Sequence, residues 1–161
     1  MFRVDVDSLE DYLNFDSKRK PDLQKLDKLI GTSAPGLKRY FHTGTPAGHP
    51  GMRFKMIGYG KLHYLARAEK YVEWPAVGVA LQKNYISVYL SVVKDGAPLL
   101  QSYSGRLGEL RVGSNNFSFR TYEDLDVRLL AGMFAEAGQI FSSHPGRCIL
   151  AHGGTKALRT N

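Results

Sequence analysis

Between Val77 and Val92 the chain alternates with period two. Val77, Val79 and Leu81 are interleaved with Gly78, Ala80 and Gln82, and Ile86, Val88, Leu90 and Val92 with Ser87, Tyr89 and Ser91. Lys83-Asn84 supplies a turn between the runs. Successive side chains of a strand point to opposite faces, so this pattern predicts paired antiparallel strands with one buried face. Residues 54–57 and 62–66 predict two further strands around Gly58-Tyr59-Gly60, read as a short turn, and Phe117-Ser118-Phe119 predicts another.

Helical patterns bracket this β region. Asp7 is placed to cap a first helix and Glu10 to reach back to it, with Leu9, Tyr12 and Leu13 on the inner face. Pro21 suits the first position of a second helix, whose stripe is Leu23, Leu26, Leu29 and Ile30 and which Gly31 can end. Leu99, Leu100, Tyr103 and Leu107 have helical spacing. Thr121 to Asp124 offer caps and acids for a last helix carrying Val127, Leu130, Met133, Phe134 and Ala137. The expected class is α+β: an antiparallel sheet of about five strands with helices packed on one face.

Length and composition bound the rest. A chain of 161 residues suggests one domain. Folding at this size buries roughly 70% of the surface, so a hydrophobic core suffices without cross-links. One Cys excludes an internal disulfide and a Cys-based zinc cage. No apolar stretch approaches the ~20 residues of a membrane span, and the acidic start has no signal-like apolar region. A cytoplasmic protein without membrane association is expected. Residues 1–141 are read as the domain and 142–161 as a basic C-terminal tail. A loop rich in Gly and Pro occupies residues 34–52. The net charge is +7, yet residues 1–30 hold six bases and seven acids, so the excess lies wholly after residue 30.

Several pieces then fall in a familiar order. Gly58-Tyr59-Gly60 leads to His63-Tyr64, then Glu73-Trp74-Pro75 and Gly78, Lys83 before Tyr89-Leu90, Tyr103 before Leu107-Gly108 and Gly113, and Glu123-Asp124-Leu125-Asp126 at the final helix. This ordered set resembles the YdhG-like family of small bacterial proteins, a domain of unknown function, over roughly residues 7–140. The resemblance implies a compact α+β domain, frataxin-reminiscent in shape, and some members of the family are labelled iron chaperones. The chain departs from the family pattern in three places. Arg53-Phe54-Lys55-Met56 replaces Trp-Gly before the first strand, the 34–52 loop is longer, and Leu107-Gly108-Glu109 replaces Leu-Gly-Lys.

The chemistry suggested by the residues is that of binding. With Ile86, Val88 and Leu90 facing the helices, Tyr85, Ser87, Tyr89 and Ser91 face the other way beside Gly78 and Ala80, as an open platform of small residues and tyrosines. The candidate ligand-binding set is Tyr59, Lys61, His63, Trp74, Tyr85 and Tyr89. It would take a small anionic or aromatic ligand, or a protein partner including a second copy as a homodimer. Trp74 is expected to be at least half buried beside this face. No nucleophile setting is present, so no catalytic residue is assigned and a non-enzymatic role is expected, with no cofactor. Gly58-Tyr59-Gly60 lacks the third glycine and following helix of a dinucleotide loop.

Iron would need carboxylates or histidines, and Asp7, Glu10 and Asp11, with Asp5, form the nearest acid cluster, although a +7 chain attracts cations poorly. His144, Cys148 and His152 recur every four residues, but Pro145-Gly146 opposes a helix there. Nucleic acid is disfavoured because no recognisable motif accompanies Lys38, Arg39, Tyr40 and Phe41 or the sheet tyrosines.

Overall fold

The computed structural model describes residues 2–44, 54–65, 71–108, 111–143 and 158–160. The architecture is α+β, as the alternation and the flanking helical patterns predict. Helices α1 (Leu9–Asn14) and α2 (Lys20–Ser33) precede strands β1 (Arg39–His42), β2 (Met56–Leu65), β3 (Tyr71–Leu81) and β4 (Ile86–Leu90). A small hairpin, β5 (Val93–Lys94) and β6 (Ala97–Pro98), follows. Then come β7 (Arg111–Val112), β8 (Asn116–Phe119), α3 (Val127–Ser143) and β9 (Leu158–Thr160). The main sheet runs β1-β2-β3-β4-β8-β7, all antiparallel, and β9 pairs with β2. The outer edge of β2 is thus shared: β1 pairs with Met56 to Tyr59, and β9 with Leu62 to Tyr64.

Alternation sorts the sheet into two faces. Ile57, Tyr59, Val77, Val79, Ile86, Val88, Leu90, Phe117 and Phe119 share one face by register and are buried. The helices cover this face. α2 contributes Leu23, Leu26 and Ile30 at one-face spacing, and α3 contributes Leu130, Met133, Phe134 and Ala137. α1 is pinned by Tyr12, whose hydroxyl accepts from Leu81 N at 2.8 Å and donates to Lys55 O at 3.1 Å.

Several local expectations are corrected. Gly58-Tyr59-Gly60 is not a turn, because β2 runs straight through it. Gly60 takes φ +76° inside the strand and donates its N–H to Lys38 O at 2.9 Å. A Cβ there would lie 2.8 Å from Leu37 Cδ2, so glycine serves close packing here, not chain reversal. The α1 cap is Ser8, which accepts from Asp11 N, one residue later than Asp7. Gly31 lies inside α2, which runs on to Ser33 with Ala34 as its C-cap. The 99–107 pattern forms only a 3-10 turn, Leu99–Ser102. A second 3-10 turn occupies Tyr122–Asp124, and Asp126 caps α3 by accepting from Leu129 N at 3.1 Å.

The loop and the tail are also more structured than their composition suggests. The start of the 34–52 segment supplies β1, and residues 158–160 of the tail supply β9. Pro46, Pro50, His49, Glu109, His144, Cys148 and His152 lie outside the described residues. Among the described residues no helix is long and apolar enough to cross a membrane.

Candidate functional site

The face turned away from the helices carries the polar and aromatic residues. Its central row is set by register: Tyr40 opposite Gly58, Gly58 opposite Gly78, Gly78 opposite Tyr89, Tyr89 opposite Asn116. The face is not the open platform that its small residues predict. The space above the glycines is taken. A Cβ on Gly58 would lie 2.5 Å from Cε1 of the Tyr40 ring, and one on Gly78 would strike Met56 Sδ. Met56, Ala80, Ser87, Ser91 and Ser118 are buried, and Tyr89 is only 8% exposed. Ser87 and Ser118 satisfy each other at 2.9 Å.

The structure divides the sequence-derived set. Tyr59 lies on the helix face, not with the others. It is buried, and its hydroxyl donates to Asp27 Oδ1 at 2.5 Å. Burial, reinforced by the Asp27 carboxylate, raises its phenol well above the ordinary range. Tyr85 is partly exposed under the Arg111 guanidinium, 5.4 Å from its ring centre, and adds to the burial that raises the Tyr89 phenol. Trp74 is buried, 1% exposed, and its indole N–H donates to Ser91 Oγ at 2.8 Å. Tyr89 lies 6.5 Å from Trp74 and 5.5 Å from Phe54, centre to centre. Lys61 Nζ stands 4.7 Å above the Tyr40 ring and 3.4 Å from Glu73 Oε1. His63 Nε2 lies 3.9 Å from the same carboxylate oxygen.

Two residues absent from that set connect it. Tyr40 and His42, both on β1, point to the same face with ring centres 6.2 Å apart, and His42 meets Trp74 at 5.5 Å. The alternation Arg39-Tyr40-Phe41-His42 was the available signal: polar-edged rings on one side, Phe41 packing on Tyr12 on the other. The Tyr40 hydroxyl and both His42 ring nitrogens are buried and have no hydrogen-bond partner among the described residues. Burial raises the Tyr40 phenol, with the Glu73 charge adding to it. Burial also lowers His42 to about 4, against an opposing pull from Glu73.

Beside Tyr40 the surface opens into a hollow of about 400 Å³, lined by Lys38, Arg39, Tyr40, Gly60, Lys61 and Phe141. Arg39 is committed to Asp27 at 2.5 Å and Lys61 to Glu73. Lys38 is exposed and has no carboxylate partner among the described residues. The bare Gly60 forms the floor, since a side chain there would fill the space towards Leu37 and Phe141.

The acid cluster is differently placed. Asp7 and Asp5 lie 3.7 and 4.0 Å from Lys55 Nζ, which itself donates to Val6 O at 2.6 Å. Glu10 and Asp11 are exposed on the first turn of α1. Among the described residues no group of three or more His, Cys, Asp or Glu side chains converges as a metal-holding set.

No family model, no curated protein and no solved structure matches the chain. The YdhG-like resemblance accordingly rests on the ordered sequence motifs.

Proposed function

We propose that the protein is a binding module that takes a small organic anion, a carboxylate on an aromatic or apolar body, in the hollow between β1, β2 and the end of α3. The observation that carries this reading is the hollow itself, whose lining brings the Tyr40 ring together with Lys38, which has no carboxylate partner among the described residues; the Tyr40 hydroxyl is buried and has no hydrogen-bond partner among them either. A buried hydroxyl without a partner costs roughly 1–3 kcal/mol, which a ligand oxygen accepting from it would recover. Lys38 supplies positive charge, and the Phe141 ring and Tyr40 edge supply apolar contact. Concave apolar lining with a few converging polar groups is the usual build of a small-molecule site.

The test is a thermal-shift screen of aromatic and aliphatic carboxylates, since a ligand that binds only the native state raises its apparent stability. Hits are expected among aromatic acids, and Lys38→Ala should weaken them. Tyr40→Phe should weaken them too, although it removes an orphaned hydroxyl and leaves the free protein at least as stable. A screen without hits, or hits indifferent to both substitutions, overturns the reading.

A further inference from the structure

A second hollow, of about 350 Å³, lies where the start of α2, the β3–β4 turn and the end of β8 meet. Its lining carries four cations, Lys18, Arg19, Lys83 and Arg120, against two carboxylates, Asp16 and Asp22. Asn84 and Thr121 complete it.

These groups are not equally free. Arg19 is 12% exposed and locked: its Nε donates to Asp16 Oδ2 at 2.7 Å, and Nη1 donates to Tyr85 O at 2.8 Å. Asp16 is consumed from the other side by the N–H groups of Lys18 and Arg19. One carboxylate is therefore neutralised within the wall, and Arg19 fixes the β3–β4 turn to α2. Lys18, Lys83 and Arg120 have no carboxylate partner among the described residues. Among the described residues the side chains of Asn84 and Thr121 have no hydrogen-bond partner either. Five uncommitted donor side chains, three of them cationic, thus line one concavity, against a single carboxylate, Asp22, that is not already taken up within the wall.

We propose that this hollow binds the phosphoryl group of a small phosphorylated molecule. A compact anion with several acceptor oxygens matches one guanidinium fork, two ammonium groups, an amide and a hydroxyl. A carboxylate has too few oxygens to engage all five. The site is a single concavity with acids in its wall, not a basic stripe, which favours a free phosphorylated compound over a nucleic-acid backbone. It is separate from the hollow at Tyr40, and neither site requires the other.

The experiment is calorimetric titration of the full chain with inorganic pyrophosphate at low salt. Saturable binding is expected. Lys83→Ala and Arg120→Ala, both at solvent-facing positions, should each weaken it by about tenfold, the worth of one charge-assisted hydrogen bond. Lys38→Ala should leave it unchanged, which separates this site from the one at Tyr40. No binding, or binding insensitive to both substitutions, overturns the proposal. So does a single-stranded oligonucleotide that displaces pyrophosphate and whose affinity falls steeply with salt, because the occupant is then a nucleic-acid backbone.

Discussion

His42 and Trp74 meet edge to face, ring centres 5.5 Å apart, on the side of the sheet away from the helices. Both are buried, but among the described residues only the indole has a hydrogen-bond partner. The imidazole is therefore held neutral, its pKa lowered from 6.5 to about 4 by burial, with Lys61 adding to the effect and Glu73 opposing it. Between these values the unfolded chain binds a proton that the folded chain does not. Stability must then fall as the pH drops from 6.5 towards 4. By pH 4.5 this one group costs on the order of 2–3 kcal/mol. Carboxylates titrate in part of the same range, so the comparison is with His42→Phe, which keeps the ring contact. Urea midpoints of the two proteins should diverge on acidification, with the wild type losing more. Parallel pH profiles would show that His42 is not the titrating group.

Tyr12 offers a test of how α1 is held. Its hydroxyl bridges Leu81 N and Lys55 O, joining the helix to two segments otherwise far apart in sequence. Tyr12→Phe keeps the ring in place and leaves both backbone groups without that partner. The expected cost is about 1–3 kcal/mol, read as a lower denaturation midpoint with an unchanged slope. Hydrogen exchange at Leu81 should accelerate in the variant. Unaltered stability would mean that water replaces the hydroxyl.

The β pairing of Val77 to Leu90 was legible because period-two alternation has one structural reading. α2 and α3 were legible because their apolar stripes are long. The second face was not. Gly78, Ala80 and Ser87 read as exposed small residues in the sequence, but a glycine in a strand equally marks the seat of a large neighbour. Sequence does not say which, because the occupants come from elsewhere: Tyr40 over Gly58, Met56 over Gly78. Tyr59 was misplaced for a related reason. Treating Gly58-Tyr59-Gly60 as a turn removed the alternation that puts Tyr59 beside Ile57 on the helix side. Of the candidate set, only Lys61 lines the hollow, and the buried Trp74 and Tyr89 are joined to Tyr40 through the His42 ring. Tyr40 and His42 went unselected because β1 is embedded in a Gly/Pro-rich stretch.

Asp27 ties α2 to two strands at once. Its carboxylate takes the Tyr59 hydroxyl at 2.5 Å and the Arg39 guanidinium at 2.5 Å. Asp27→Ala leaves the Tyr59 hydroxyl without its acceptor in a fully buried position, and about 1–3 kcal/mol should be lost. The double variant Asp27→Ala, Tyr59→Phe removes both partners and should regain part of that loss. Chemical denaturation of the four proteins of this cycle gives the coupling directly. Strictly additive effects would show that the pair does not interact in solution.

Gly105 and Gly108 share a left-handed backbone, φ +81° and +79°, but differ in surroundings. Among the described residues nothing lies within 4 Å of a Cβ built on Gly105, whereas one on Gly108 would run into the carbonyl oxygen of Asp124, with Leu125 Cα at 3.2 Å behind it. The neighbouring backbone cannot yield easily, because Leu107 O accepts from Asp126 N at 3.0 Å, immediately before α3. Gly105→Ala should therefore cost only the conformational penalty of an L-residue in that region, about 1–2 kcal/mol. Gly108→Ala carries the same penalty plus displacement of the turn that leads into α3. It should exceed the Gly105 cost by about 1–3 kcal/mol, a figure typical of overpacking. Melting curves of the two variants, recorded side by side, check the order. Equal destabilisation would mean that the 122–126 segment moves aside freely and does not anchor the start of α3.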